Sequence, residues 1–227
     1  MPKTRSNISR RRIESVIFDV DGTLVSNLKL IVNSFNFAVE GFVGRRYSQV
    51  EVYSMFGPTL EQMIEEVVPS ENAKDAVKLY HVHYRKYFHQ YARLHSGIRA
   101  LISGLRRAGI TVGIYTGSDA TMTQTSLEKT GLRNLFSVVV TADDVVEPKP
   151  DPEGLVRAID LMTTEVNKAV YFGDEVDDIE ASKRAGVLSA AALWGFGDAT
   201  QLRSHQPDFA FNDPHGALYL LLSDHGM

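Results

Sequence analysis

Apolar positions along the chain fall into two rhythms. Short continuous runs bounded by turn residues read as buried strands. They are Ser15–Val20, Thr111–Tyr115, Ser137–Val140, Ala169–Phe172, Leu188–Leu193 and a weaker Phe209–Phe211. Between the later runs the apolar spacing lengthens to three and four. Ile98, Leu101, Ile102 and Leu105 share one helix face, and Gly109 ends that helix. A second helix, from Thr121 to Lys129, stops at Gly131, and Glu153–Leu161 and Ile179–Ala185 complete the alternation. Strand–helix alternation predicts an α/β fold, a mostly parallel Rossmann-like sheet covered on both faces.

The stretch 26–95 breaks this rhythm. It shows no convincing strand and three helical patterns, Leu28–Val39, Thr59–Val68 and Glu71–Tyr91. Val77, Tyr80, Tyr84, Phe88 and Tyr91 form one stripe on the third. The pattern therefore predicts a core from residues 13–25 and 96–227, with a helical insert at 26–95 after the first strand. Two linkers, near Ser26-Asn27 and Leu94–Gly97, would let that insert move as a lid.

The 227 residues, 44% hydrophobic and 23% charged, exclude a disordered chain, and no apolar run reaches the roughly 20 residues of a bilayer helix. Residues 1–12 carry five basic side chains and no acid, and read as a disordered tail. The remaining residues hold 19 basic against 28 acidic side chains, a net charge of −9, which argues against nucleic acid as a partner. With no cysteine there is no thiolate metal site and no cysteine nucleophile. A reducing, cytoplasmic setting fits that composition.

Ligands of a parallel sheet bind outside the carboxyl ends of its strands. The polar residues sit at those ends. The first strand runs into Asp19 and Asp21, the second into Thr116-Gly117-Ser118, and the fourth into Gly173-Asp174-Glu175-Val176-Asp177-Asp178. Lys149 lies between two prolines before the fourth strand. If Asp19, Asp21, Asp174 and Asp178 converge, Lys149 alone does not balance them. Like charges about 4 Å apart cost on the order of 4 kcal/mol per pair at an effective dielectric of 20. A divalent cation would offset that cost, and oxygen-only ligands suit Mg2+. Glu175 and Asp177 read as helix-start or solvated residues. His81 and His83 stand two apart on a helix and face different ways, so they make no metal pair.

The run Phe18-Asp19-Val20-Asp21-Gly22-Thr23-Leu24-Val25 resembles the first motif of the haloacid dehalogenase superfamily of phosphohydrolases. Thr116 is similar to the hydroxyl residue of its second motif, Lys149 to the third-motif lysine, and Asp174 and Asp178 to the acidic fourth motif. The resemblance covers about residues 13–215 and is nearest to the phosphoglycolate phosphatase and pyrophosphatase-like subgroup. Relatives usually continue Asp-Gly-Thr-Leu-Val with Asp-Ser. Here Ser26-Asn27 follows, a departure at the linker to the insert.

The resemblance implies a Rossmann-like core with a helical cap, and a Mg2+-dependent phosphatase acting on a small phosphorylated metabolite. It implies Asp19 as nucleophile and Asp21 as proton donor and then base. The metal would be held by Asp19, the Asp21 backbone carbonyl and Asp174. Thr116, the Gly117 N–H and Lys149 would bind phosphoryl oxygens, with Asp178 in support. Arg45, in a basic pair with Arg46 after the first insert helix, is a candidate substrate contact. The Val52–Leu60 stretch carries no basic residue, which favours hydrolysis over a beta-phosphoglucomutase-like transfer and a small carboxylated or diphosphate substrate over a hexose phosphate. A non-catalytic binding protein on the same fold is the remaining alternative. Neither a membrane nor nucleic acid is expected as a partner, and the assembly is expected to be a monomer or homodimer.

Overall fold

Strand β1, Ser15–Phe18, is the centre of the molecule. In the computed structural model, which describes residues 12–223, all four of its residues are buried. Its side chains alternate between two cores, as strand periodicity requires. Val16 and Phe18 join the apolar layer with Leu101, Leu105 and Leu221, whereas Ile17 packs with Leu155, Ile159 and Tyr171 on the other face. A strand covered on both sides explains the unbroken apolar run in the sequence. The proposed basic tail at 1–12 lies outside the described residues, apart from Arg12.

Five further strands complete the sheet: β4 (Thr111–Tyr115), β5 (Val138–Val140), β6 (Ala169–Gly173), β7 (Leu188–Ala192) and β8 (Phe209–Phe211). Their order is β5-β4-β1-β6-β7-β8, and every pairing is parallel. The order reverses at β1, so the carboxyl ends of β1, β4 and β6 open onto the crevice where such sheets bind ligands. On the flanks lie α5 (Ile98–Arg107), α6 (Ala120–Thr130), α7 (Glu153–Met162), α8 (Val176–Ala185), α9 (Ala199–Ser204) and α10 (Pro214–Ser223). The α9 and α10 segments were not expected from spacing. The short α9 is started by Asp198, whose side chain accepts from the Gln201 N–H, rather than by a periodic stripe.

Between β1 and α5 the chain forms α1 (Leu28–Val43), α2 (Gln49–Tyr53), α3 (Leu60–Glu65) and α4 (Ser70–Tyr91). The aromatic stripe of α4 is buried as expected: Tyr80, Tyr84 and Phe88 pack inward against α1 and α6. Helices α2 and α3 are short and begin in reciprocal caps, Ser48 with Glu51 and Thr59 with Gln62. The expectation of no strand in 26–95 is corrected. Val25–Ser26 (β2) pairs antiparallel with Arg93–Leu94 (β3), so both crossings between sheet and helices run side by side. Each strand is two residues long, too short to leave an alternation in the sequence.

Candidate active site

The β1 strand stops where Asp19 begins a tight turn. Gly22 makes that turn with φ +83°, and its backbone passes so close to Asp174 that a side chain there would collide with the carboxylate. The result brings Asp19, at the end of β1, beside Asp174 and Asp178, after β6. All three are buried, and each offers a carboxylate oxygen within 4.8 Å of the others. Lys149 reaches into the same group, its Nζ 3.0 Å from Asp19 Oδ1 and 2.7 Å from Asp178 Oδ1.

Asp174, Asp178 and Asp21 are each held from more than one side. Asp174 accepts from the Thr23 hydroxyl at 2.6 Å and from the Phe196 N–H at 2.7 Å. Asp178 accepts from the Glu175 N–H at 3.0 Å and so closes the start of α8. The Asp21 carboxylate turns elsewhere: Ser118 Oγ donates to one oxygen and Asn27 Nδ2 to the other. Asn27 also donates to the Tyr84 hydroxyl at 2.7 Å, and that hydroxyl lies 2.9 Å from Ser126 Oγ. Asn27 therefore ties the turn after β1 to α4, and Tyr84 extends the tie to α6. Thr116 follows β4, with its backbone N–H on Val140 and its Oγ1 accepting from the Ser118 N–H at 3.3 Å.

Burial shapes the charges. It pushes the Asp19 carboxyl up to about 7, against the pull of Lys149. Burial likewise raises Asp174, helped by the negative charge of Asp19 and Asp178, and it raises Asp21 against its hydrogen bonds from Ser118 and Asn27. For Lys149 burial opposes the charge, but Asp178 and Asp19 prevail and hold the ammonium protonated.

A cavity of about 190 Å³ stands over this cluster. Asp19, Asp21, Thr116, Gly117, Ser118, Lys149 and Asp178 form its floor. The helices above, with the loop between α2 and α3, contribute Ile31, Phe35, Phe56, Gly57, Leu60, Met63 and Tyr80. All four stretches singled out in the sequence for chemistry meet here. A model of the haloacid dehalogenase-like hydrolases matches residues 16–192, which include every one of them.

The chain belongs to the haloacid dehalogenase-like hydrolase family.

Curated relatives in this family include the pyrophosphatase PpaX of Bacillus cereus, 31% identical over 218 residues, covering 92% of this chain and 97% of that protein. The PpaX of Listeria monocytogenes is 30% identical over 200 residues, covering 87% and 91%. These relatives place the chain among the family's phosphatases, in the pyrophosphatase-like subgroup. Solved structures agree in fold. A predicted phosphoglycolate phosphatase from Haemophilus somnus has a TM-score of 0.83 at 21% identity, covering 92% of this chain and 98% of that one. CbbY from Rhodobacter sphaeroides, solved with phosphate, has a TM-score of 0.78 at 20% identity, covering 89% and 95%.

One expected residue of this family member stays outside the cavity. Arg45 bonds Glu51 at 2.8 Å and lies over the Tyr47 ring at 3.8 Å, so its local partners hold it away from the site. Arg46 is likewise taken by Glu40. The α4 histidines find separate partners, His81 at Asp119 and His83 at Ser34. Glu175 starts α8 as expected, and it also accepts from the Tyr53 hydroxyl of α2 at 2.8 Å.

Sequence reading passed over Tyr171. Its hydroxyl lies 3.1 Å from Lys149 Nζ and donates toward the Tyr115 carbonyl oxygen at 2.8 Å, buttressing the lysine from inside β6. The only signal was a phenol in an otherwise apolar run. The stripe position of Tyr84 discloses its ring and hides the hydroxyl that accepts from Asn27.

Proposed function

We propose that this phosphatase is Mg2+-dependent and hydrolyses a small phosphate ester or anhydride through an aspartyl-phosphate on Asp19. The observation that carries the reading is the convergence of Asp19, Asp174 and Asp178, with Lys149 bridging Asp19 and Asp178, under one cavity shared with Asp21 and Thr116.

The donor set fits a hard cation. Asp178 is committed to Lys149, Tyr171 and the Glu175 N–H, which leaves Asp19 and Asp174 as the side-chain ligands. The Asp21 backbone carbonyl is the third protein ligand in this reading, and the close approach of Gly22 to Asp174 supports it. When bound, Mg2+ supplies positive charge against phosphoryl oxygens.

In the reaction Asp19 attacks phosphorus with a carboxylate oxygen, and the bond from phosphorus to the leaving oxygen breaks. Asp21 gives its proton to that oxygen. Burial holds the Asp21 carboxyl above the usual carboxylate range, the direction a donor needs. The ionised Asp21 then takes a proton from water as that water attacks the aspartyl-phosphate, freeing phosphate and restoring Asp19. Thr116, the Gly117 N–H and Lys149 stabilise charge on the phosphoryl oxygens. Helices α1–α4 act as a cap on this site, with β2 and β3 as the paired hinge. A mutase would need a grip on a second phosphate. Arg45 and Arg46 are occupied outside the cavity, which supports net hydrolysis.

The test uses the purified full chain and para-nitrophenyl phosphate. Phosphate release is expected to rise with Mg2+, to stop in excess chelator and to return when Mg2+ is restored. Undiminished release in excess chelator contradicts the metal assignment.

A further inference from the structure

We infer that the substrate is a phosphate monoester whose leaving group is an uncharged, largely apolar alcohol, seated against the cap rather than held there by a second anionic group. The inference rests on the phosphatase reading above and goes beyond it to the part of the substrate that reading leaves open.

The cavity has two chemically distinct halves. The floor takes the phosphoryl group. What remains is bounded by Phe35, Phe56, Leu60, Met63 and Tyr80 of the cap and by Met122 of α6. These side chains come from five separate segments, so the apolar wall is a convergence and not the face of one helix. Phe35 and Tyr80 are fully buried at its back, while Phe56 and Leu60 are half-buried toward the mouth. An apolar group entering here leaves water for carbon on several sides, which is favourable.

A carboxylate or second phosphate in the same place would leave water without a matching partner, a costly transfer. Among the described residues lining the cavity, Lys149 is the sole cation, and it is already shared by Asp19 and Asp178. The other ionisable groups at the rim are the acids Glu175 and Asp177, and neither adds a positive charge for a second anionic group. Glu175 is also turned toward Tyr53 of the cap. A cavity of about 190 Å³ has room for a ring or a short branched chain beside the phosphoryl group. Atoms balance as for any monoester: phosphorus–oxygen cleavage with one water yields the alcohol and inorganic phosphate.

The experiment measures kcat/KM of the full chain with Mg2+ for benzyl phosphate, phosphoglycolate and inorganic pyrophosphate. Benzyl phosphate and phosphoglycolate are both alkyl monoesters, which limits the part played by leaving-group chemistry. Benzyl phosphate is expected to lead phosphoglycolate by at least about tenfold, the size of effect an apolar pocket gives. The variant Phe56→Lys is expected to narrow that ratio by raising turnover of phosphoglycolate and weakening benzyl phosphate. Phe56→Ala is expected to raise KM for benzyl phosphate several-fold, by more than it raises KM for phosphoglycolate. Phosphoglycolate or pyrophosphate leading benzyl phosphate overturns the inference and leaves the phosphatase reading intact. Failure to hydrolyse all three overturns both.

Discussion

The floor of the cavity and the cap above it use side chains in opposite ways. On the floor Asp174, Asp178 and Lys149 are each fixed by two or more polar partners and Asp19 by Lys149, and the strand ends of β1 and β6 set their spacing. In the cap, Phe35, Leu60, Met63 and Tyr80 are fixed by packing in the same apolar layer that stabilises the fold. The difference teaches where constraint resides. A floor built on charge tolerates no isosteric change, because a lost partner leaves a buried ion unpaired. A wall built on shape tolerates substitution of similar volume. Chemistry can therefore stay fixed while the leaving group changes.

Asn27 breaks this division, since it stands at the hinge yet donates to Asp21 on the floor and to Tyr84 in the cap. Asn27→Ala is expected to lower kcat about tenfold, the range of a lost hydrogen bond to a charged group, with KM changed little. The loss should grow as the leaving group becomes more basic, because proton delivery by Asp21 then matters more. A uniform loss across leaving groups would make Asn27 a packing residue only.

A smaller effect separates the two regions by stability. A carboxyl held above its ordinary value in the folded chain weakens the fold when it ionises. That weakening is absent below the ordinary value and complete above the folded one. Burial pushes Asp19 from 3.8 to about 7 and Glu175 from 4.5 to about 7. Metal-free protein is thus expected to lose stability as pH rises across that window. Its Tm at pH 8 should lie several degrees below that at pH 5.5, and added Mg2+ should reverse the drop at pH 8. A metal-free Tm that climbs over the same interval contradicts the placement of the buried acids.

The same contrast explains what the sequence discloses. Asp19, Asp21, Thr116, Lys149, Asp174 and Asp178 were legible because turn-bounded apolar runs mark strand ends, where ligand chemistry gathers. The sheet was legible for the same reason, in the unbroken apolar runs of β1, β4 and β6. Arg45 stands outside the cavity, held by Glu51 and Tyr47, and a basic pair beside a predicted lid does not disclose those partners. Tyr84 and Tyr171 were hidden because each phenol serves two ends, a ring in the core and a hydroxyl on a polar neighbour. The β2–β3 ribbon carries two residues per strand, below the length at which alternation can be read.

The most direct test of the account is to trap the phosphorylated chain. In a rapid acid quench with radiolabelled benzyl phosphate or para-nitrophenyl phosphate, the label should reside on Asp19 as a hydroxylamine-labile acyl-phosphate. It should persist longer in Asp21→Ala, where water is no longer activated, and be absent in Asp19→Asn. Turnover by the wild-type chain with no label on Asp19, or turnover retained by Asp19→Asn, would contradict it.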